Sequence, residues 1–226
     1  MTPTPPDRAL ASGKPFCFAG GRRFFGRPFF FTNVLRRIAI AAFLLGGLVL
    51  VFDAGYIHAK AWLGQKLLVY AWQNTQNTHQ PNKPWWWADT FPVAVLSAPK
   101  YHERLFVLHG TNGEALAWGP GWLPSSAAPG ESGNSVIAAH RDTHFSFLQH
   151  IQLGDHLVIE NEQRQQFVYE VIQTRVIDIR DMNTVQSDDQ KKLTLVTCYP
   201  FDALATRGHQ RLLVEARQIN MNNNEG

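Results

Sequence analysis

The sequence predicts a mainly β fold: a closed barrel of seven to eight strands, preceded by one transmembrane helix and a short stalk helix. Three observations lead there. From residue 91 onward, short runs rich in β-branched and aromatic residues alternate with glycine- and proline-containing turns. Seven or eight such runs in about 130 residues fit a sheet closed on itself. Before them, Ile38 to Phe52 is a run of fifteen residues without a charge, led by Arg36-Arg37.

The N-terminal part comes first. Between Met1 and Arg37 stand seven basic residues against the single acid Asp7, whereas the remainder holds 14 basic and 17 acidic residues, from chain totals of 21 and 18. The basic excess therefore belongs to a tail of residues 1–37, and the folded part has no basic surplus with which to grip nucleic acid. At ~1.5 Å per residue, fifteen residues fall short of a hydrocarbon core of ~30 Å. Extension to about residue 58 gives the needed length and takes in Asp53 near the far end, where a carboxylate reaches the headgroups. A membrane helix over 38–58 follows. Arg36 and Arg37 put its N-terminus in the cytoplasm and the rest of the chain outside. A cleaved signal peptide is the competing reading, with Ala59-Lys60-Ala61 as its small-residue site. The long basic region and the apolar character beyond the run favour the uncleaved anchor.

Residues 59–77 place Trp62, Leu63, Leu67, Tyr70 and Ala71 near i, i+4 spacing, so an amphipathic helix continues from the membrane, with Gly64 a weak point. Thr78 to Pro84 breaks it, and the expected organisation is a helix and linker over 59–86 and a barrel over 87–219. Trp85-Trp86-Trp87 between them must cover something: the barrel wall, the membrane interface or a substrate groove. The strands expected are Phe91–Leu96, Leu105–His109, Ser135–His140, His156–Glu160, Gln166–Ile179, Leu193–Cys198 and Arg211–Arg217, with one short helix near Phe145–Ile151. Residues 220–226 form a polar tail expected to be flexible.

Two cysteines, Cys17 and Cys198, are too few for a disulfide scaffold, and a membrane span between them would keep them apart. Cys198 closes the run Leu193 to Cys198 just before Tyr199-Pro200. That puts its thiol at a rim, although a lone cysteine at a strand end is more often a core residue. His140 closes Asn134 to His140. Two strand ends on one rim bring a thiol and an imidazole together, and the imidazole can lower the thiol pKa and protonate a leaving amine. Arg211 opens the last strand, where a fixed guanidinium can hold a carbonyl oxygen or a developing oxyanion; Arg207 is a nearby rival. His144, four residues past His140, would join a zinc site only on a helix, and this stretch reads as strand. No metal or other cofactor is expected.

The segments "GNSVIAAHRDTHFSFL", "IQLGD", "TLVTCYPF" and "RLLVEA", in that order, resemble the sortase family of cysteine transpeptidases over roughly residues 87–219. "WADTFP" and "WGPGWLPSSAAPGESGN" resemble its subgroup from Gram-negative, largely marine bacteria. The resemblance implies an eight-stranded sortase barrel with Cys198 as nucleophile, His140 as general acid/base and Arg211 as oxyanion or substrate clamp. Thr197 and Arg141 flank these residues as substrate-binding candidates, and Thr197 matches the threonine before the family's cysteine. Ala139 departs from the glycine that many sortases carry before the histidine. The partner implied is an exported protein with a C-terminal sorting motif. Two other readings stand beside this one: a non-catalytic exported barrel with Cys198 buried, and a purely hydrolytic cysteine peptidase.

Overall fold

The computed structural model describes residues 29–180, 190–202 and 208–219. Cys17, Arg207 and the terminal residues 1–28 and 220–226, about which expectations were stated, lie outside them. The chain divides into two compact units, Met1–Asp53 and Ala54–Gly226.

The first described element, α1, is one helix from Phe29 to Thr78. It starts nine residues before the expected membrane segment, because nothing in Phe29 to Arg37 opposes helix. In the first unit its apolar residues are exposed, Phe43 at 83% and Leu50 at 72%, and its most apolar stretch has a mean hydropathy of 2.3. It is long and apolar enough to cross a membrane.

In the second unit the last turns of α1 bury Leu68, Ala71, Trp72 and Thr75, spaced i, i+3, i+4, i+7. Leu68 packs with Leu108 and Ala115, and Gln76 donates to Glu160 at 2.7 Å, so the stalk is docked on the barrel. Gly64 is the reason it can dock: a Cβ there would lie 2.1 Å from the Trp118 ring. The helix stops where His79 turns left-handed (φ 52°) and donates its N–H to the Thr75 carbonyl at 2.8 Å.

The barrel strands are β1 (Pro92–Ala98), β2 (Glu103–His109), β3 (Gly121–Trp122), β4 (Asn134–Ala138), β5 (His156–Glu160), β6 (Gln166–Asp178), β7 (Lys192–Cys198) and β8 (Gln210–Ile219). They close in the order β1-β2-β3-β4-β7-β8-β6-β5, with β5 pairing back to β1. The β2–β3 and β4–β7 pairs are parallel and the others antiparallel. Leu96, Ile137, Leu157, Ile159, Tyr169, Leu195 and Val214 fill the interior, alternating along their strands with residues that face outward.

The eight-stranded fold class expected from the sequence is the one observed, with differences in detail. The eighth strand, β3, has two residues and lies in a stretch that reads as turn. Gly121 pairs with Leu108 and Ala138, and a Cβ on it would sit 2.2 Å from the Gly110 carbonyl oxygen. A short helix, α2 (Gly113–Trp118), was not expected. Its signal is Asn112, whose side chain accepts from the Ala115 N–H at 2.9 Å as an N-cap. The expected helix near Phe145–Ile151 is a 3-10 turn, Ser146–His150. His140 is not part of a strand, since β4 ends at Ala138. Of the three tryptophans, Trp85 packs edge-on against Trp118 with ring centres 4.9 Å apart, while Trp86 and Trp87 are 85% and 62% exposed. Trp85 and Trp87 line a hollow against α1 and α2, and none of the three tryptophans lines the cleft beside Tyr199.

Candidate active site

The parallel pairing of β4 with β7 sets the position of the candidate histidine. The last registered pair is Ala138 with Val196. Beyond it the chains remain clasped: the Ala139 N–H donates to the Val196 carbonyl at 3.1 Å, and the Thr197 hydroxyl donates to the Ala139 carbonyl at 2.8 Å. His140 and Cys198 are the next residues on the two chains. On the other side of β7, Cys198 pairs directly with Arg211 of β8, and the Tyr199 N–H donates to the Gln210 carbonyl at 3.1 Å.

Alternation then decides which way these side chains face. Leu195 and Leu212 belong to the barrel interior. Val136, Val196 and Leu213 form a separate apolar cluster, with Ala138 and Ile177 packed against it. Cys198 is two residues past Val196, Arg211 is two before Leu213, and His140 is two past Ala138. The period of two places Cys198 and Arg211 on the outer face of neighbouring strands, with an apolar floor behind them, and His140 follows just beyond the end of β4 at the same end of the barrel. Cys198 and Arg211 are half-buried and His140 is exposed. A thiol at an open strand end can reach a carbonyl carbon, an exposed imidazole can hand a proton to a leaving group, and a guanidinium can hold an oxyanion.

Arg211 is held by its own loop. Its Nη1 donates to the carbonyls of Gly208 and Gln210, both at 2.8 Å, so Nε and Nη2 hold the donors left for a ligand. Thr197 and Arg141, expected as substrate contacts, are committed elsewhere. Thr197 is 2% exposed and its hydroxyl proton goes to Ala139. Arg141 is 5% exposed. Its Nη1 donates to the Pro200 carbonyl and its Nε to Asp142 at 3.2 Å. It ties the turn after His140 to the segment after Cys198, which makes it a positioning residue.

His144 is more than a turn residue. It is half-buried, with Nδ1 3.3 Å from the Thr143 hydroxyl. Burial, with the neighbouring His140 as a second cause, holds its pKa below the ordinary histidine value. Among the described residues no three metal-ligating side chains come together. A cleft of about 450 Å³ opens beside Tyr199, between Leu148, Ile151, Thr174, Asp202 and Leu212. Leu212 faces opposite to Arg211, so this cleft lies behind the end of β8 and not on the face that carries the thiol.

Comparison with known proteins agrees with this architecture. The sortase domain model matches residues 96–219, more than half of the chain. Sortase D of Bacillus subtilis (strain 168) is 33% identical over 108 residues, which are 47% of this chain and 54% of that protein. The chain thus spans about half the length of this curated relative. Among solved structures, sortase A from Corynebacterium diphtheriae is similar at a TM-score of 0.54 and 27% identity, over 62% of this chain and 66% of that one. A Clostridium perfringens sortase D5 transpeptidase gives a TM-score of 0.57 over 70% of this chain and 99% of that one; at 23% identity it bears on the fold alone.

Proposed function

Because this chain belongs to the sortase domain family, we propose that it is a membrane-anchored cysteine transpeptidase acting on exported proteins. The observation that carries the proposal is the register of β4, β7 and β8, which pairs Cys198 with Arg211 and clasps Ala139 to Thr197, the residues just before His140 and Cys198. The Cys198 thiolate attacks the scissile carbonyl of a C-terminal sorting motif, and a C–S bond forms as the carbonyl becomes an oxyanion beside Arg211. Collapse breaks the C–N bond, and His140 gives its proton to the departing amine. A second amine then attacks the thioester, its proton passes to His140, and the thiolate is released with a new amide. Water in the amine's place gives hydrolysis.

The same reading sets the topology. Residues 1–37 are a cytoplasmic tail, 38–58 cross the inner membrane once, 59–86 are helix and linker, 87–219 are the periplasmic catalytic domain, and 220–226 are a tail. The lead-in "WADTFP" and the stretch from Trp118 to Asn134 support the reading of a Gram-negative subgroup member. A membrane-held enzyme suits a membrane-held substrate, since tethering raises effective concentration. The test is intact mass spectrometry of the full chain after incubation with exported proteins of its own cell. The expected result is a covalent adduct released by hydroxylamine and missing from Cys198→Ala. An adduct that survives this substitution rules the proposal out.

A further inference from the structure

A preformed aromatic cradle lies in the second unit, away from the site described above. Lys60, Leu63, Gly64 and Leu67 of α1 form one wall, at spacings that repeat on one helix face. Trp85, Trp87 and Trp118 complete a hollow of about 420 Å³, with Glu114 at its edge. It is held open by packing: Trp118 sits edge-on to Trp85 at 4.9 Å and rests on Gly64, and the Gln65 side chain donates to the Trp118 carbonyl at 3.1 Å. Its rim is apolar and unprotected, with Trp86 85%, Trp87 62% and Leu63 52% exposed and the Trp86 ring edge-on to Trp87. Three large side chains open to water in one neighbourhood mark an interaction surface.

What covers it follows from its place along the chain. Within the second unit the helix that forms the wall also carries Tyr56 and Ile57, the last apolar residues of the proposed membrane segment. At ~1.5 Å per residue, Lys60 to Gly64 lie ~5 to ~10 Å beyond Ile57. That is the depth of the headgroup layer, where indoles collect and amphipathic surfaces settle. Lys60 and Lys66 stand there too, Lys66 with its ammonium 5.8 Å from the Trp62 ring, and long stems let both reach phosphates while their methylenes stay with the indoles.

We infer that this cradle is a second membrane contact: Trp86, Trp87 and the Leu63 face seat in the outer-leaflet interface beside the helix that enters it. The inference rests on the proposed membrane anchoring and adds a surface that anchoring alone does not require. With it, the catalytic domain is held at the lipid surface by two points instead of swinging on one helix.

The experiment uses the full chain in vesicles of phosphatidylethanolamine and phosphatidylglycerol, with and without phosphatidylcholine brominated on its acyl chains. The tryptophan emission of the W86F/W87F chain is subtracted from that of the wild type. W86F alone, at the more exposed position, repeats the measurement independently. The difference emission should lose most of its intensity in brominated vesicles and resist acrylamide added to the water. If the chain stays in the vesicles through alkaline washing but the difference emission ignores bromine, the cradle inference fails and anchoring stands. Shielding from both quenchers means a protein covers the cradle, a second copy included, which also overturns it. Release of the chain by alkaline washing overturns anchoring and cradle together.

Discussion

The roles proposed for Cys198 and its neighbours depend on position more than on any unusual residue type. The Thr197 hydroxyl closes the gap between β4 and β7 by donating to the Ala139 carbonyl inside the protein. Thr197→Val keeps the shape and removes the donor, leaving a buried carbonyl unpaired, so stability should fall by ~1–3 kcal/mol in a denaturant titration. Turnover should fall as well, because the clasp sets the spacing of the next residues, His140 and Cys198. His140→Ala should lower the rate by at least ~10²-fold if it supplies the proton, checked by single-turnover kinetics. Arg211→Lys should also be impaired, since an ammonium cannot present the planar donor fork that here holds two loop carbonyls on one edge and leaves the other for an oxyanion. The positions of Cys198 and Arg211 at strand ends were legible in the sequence from the runs that precede and follow them. The inward commitment of Thr197 and Arg141 was not. It depends on a partner carbonyl about sixty residues away, which no local pattern announces.

At the scale of elements, apolar period and turn residues located seven strands, and the closure of the barrel followed from their number. The eighth strand and α2 escaped for a physical reason. Two residues have no period, and a six-residue helix after Gly110-Thr-Asn112 looks like the turn it grows from. Gly64, read as a weak point, turns out to be a close approach. Gly64→Ala should gain helix propensity of ~1 kcal/mol yet lower the melting temperature, because its Cβ would displace Trp118, at a typical overpacking cost of ~1–3 kcal/mol. Gly121→Ala should be worse, since the obstacle is the Gly110 backbone carbonyl and not a side chain. A thermal melt of each variant, run beside the wild type, checks both. A Gly64→Ala chain that melts higher would show that the ring moves aside freely.

For the whole molecule, acid sensitivity has an identifiable contributor. Asp155 is buried, which by itself raises its pKa. Hydrogen bonds from Lys100, Tyr101 and the Gln152 N–H, with the lysine charge, prevail and hold it below the ordinary 3.8. A carboxylate with a lower pKa folded than unfolded stabilises the fold above 3.8 and loses that contribution as pH falls through the folded value. Melting temperature should therefore drop as the pH is taken below 3.8, and Asp155→Asn should be less stable at neutral pH and less acid-dependent. The proposed function requires the outer face to be open at Cys198. The most direct measurement is alkylation of the native full chain in a Cys17→Ala background, where Cys198 is the one remaining thiol. The account predicts one alkyl group added while the protein is folded, with the ability to form the hydroxylamine-sensitive adduct lost in step. A thiol that reacts only after unfolding, or an alkylated chain that still forms the adduct, would contradict it.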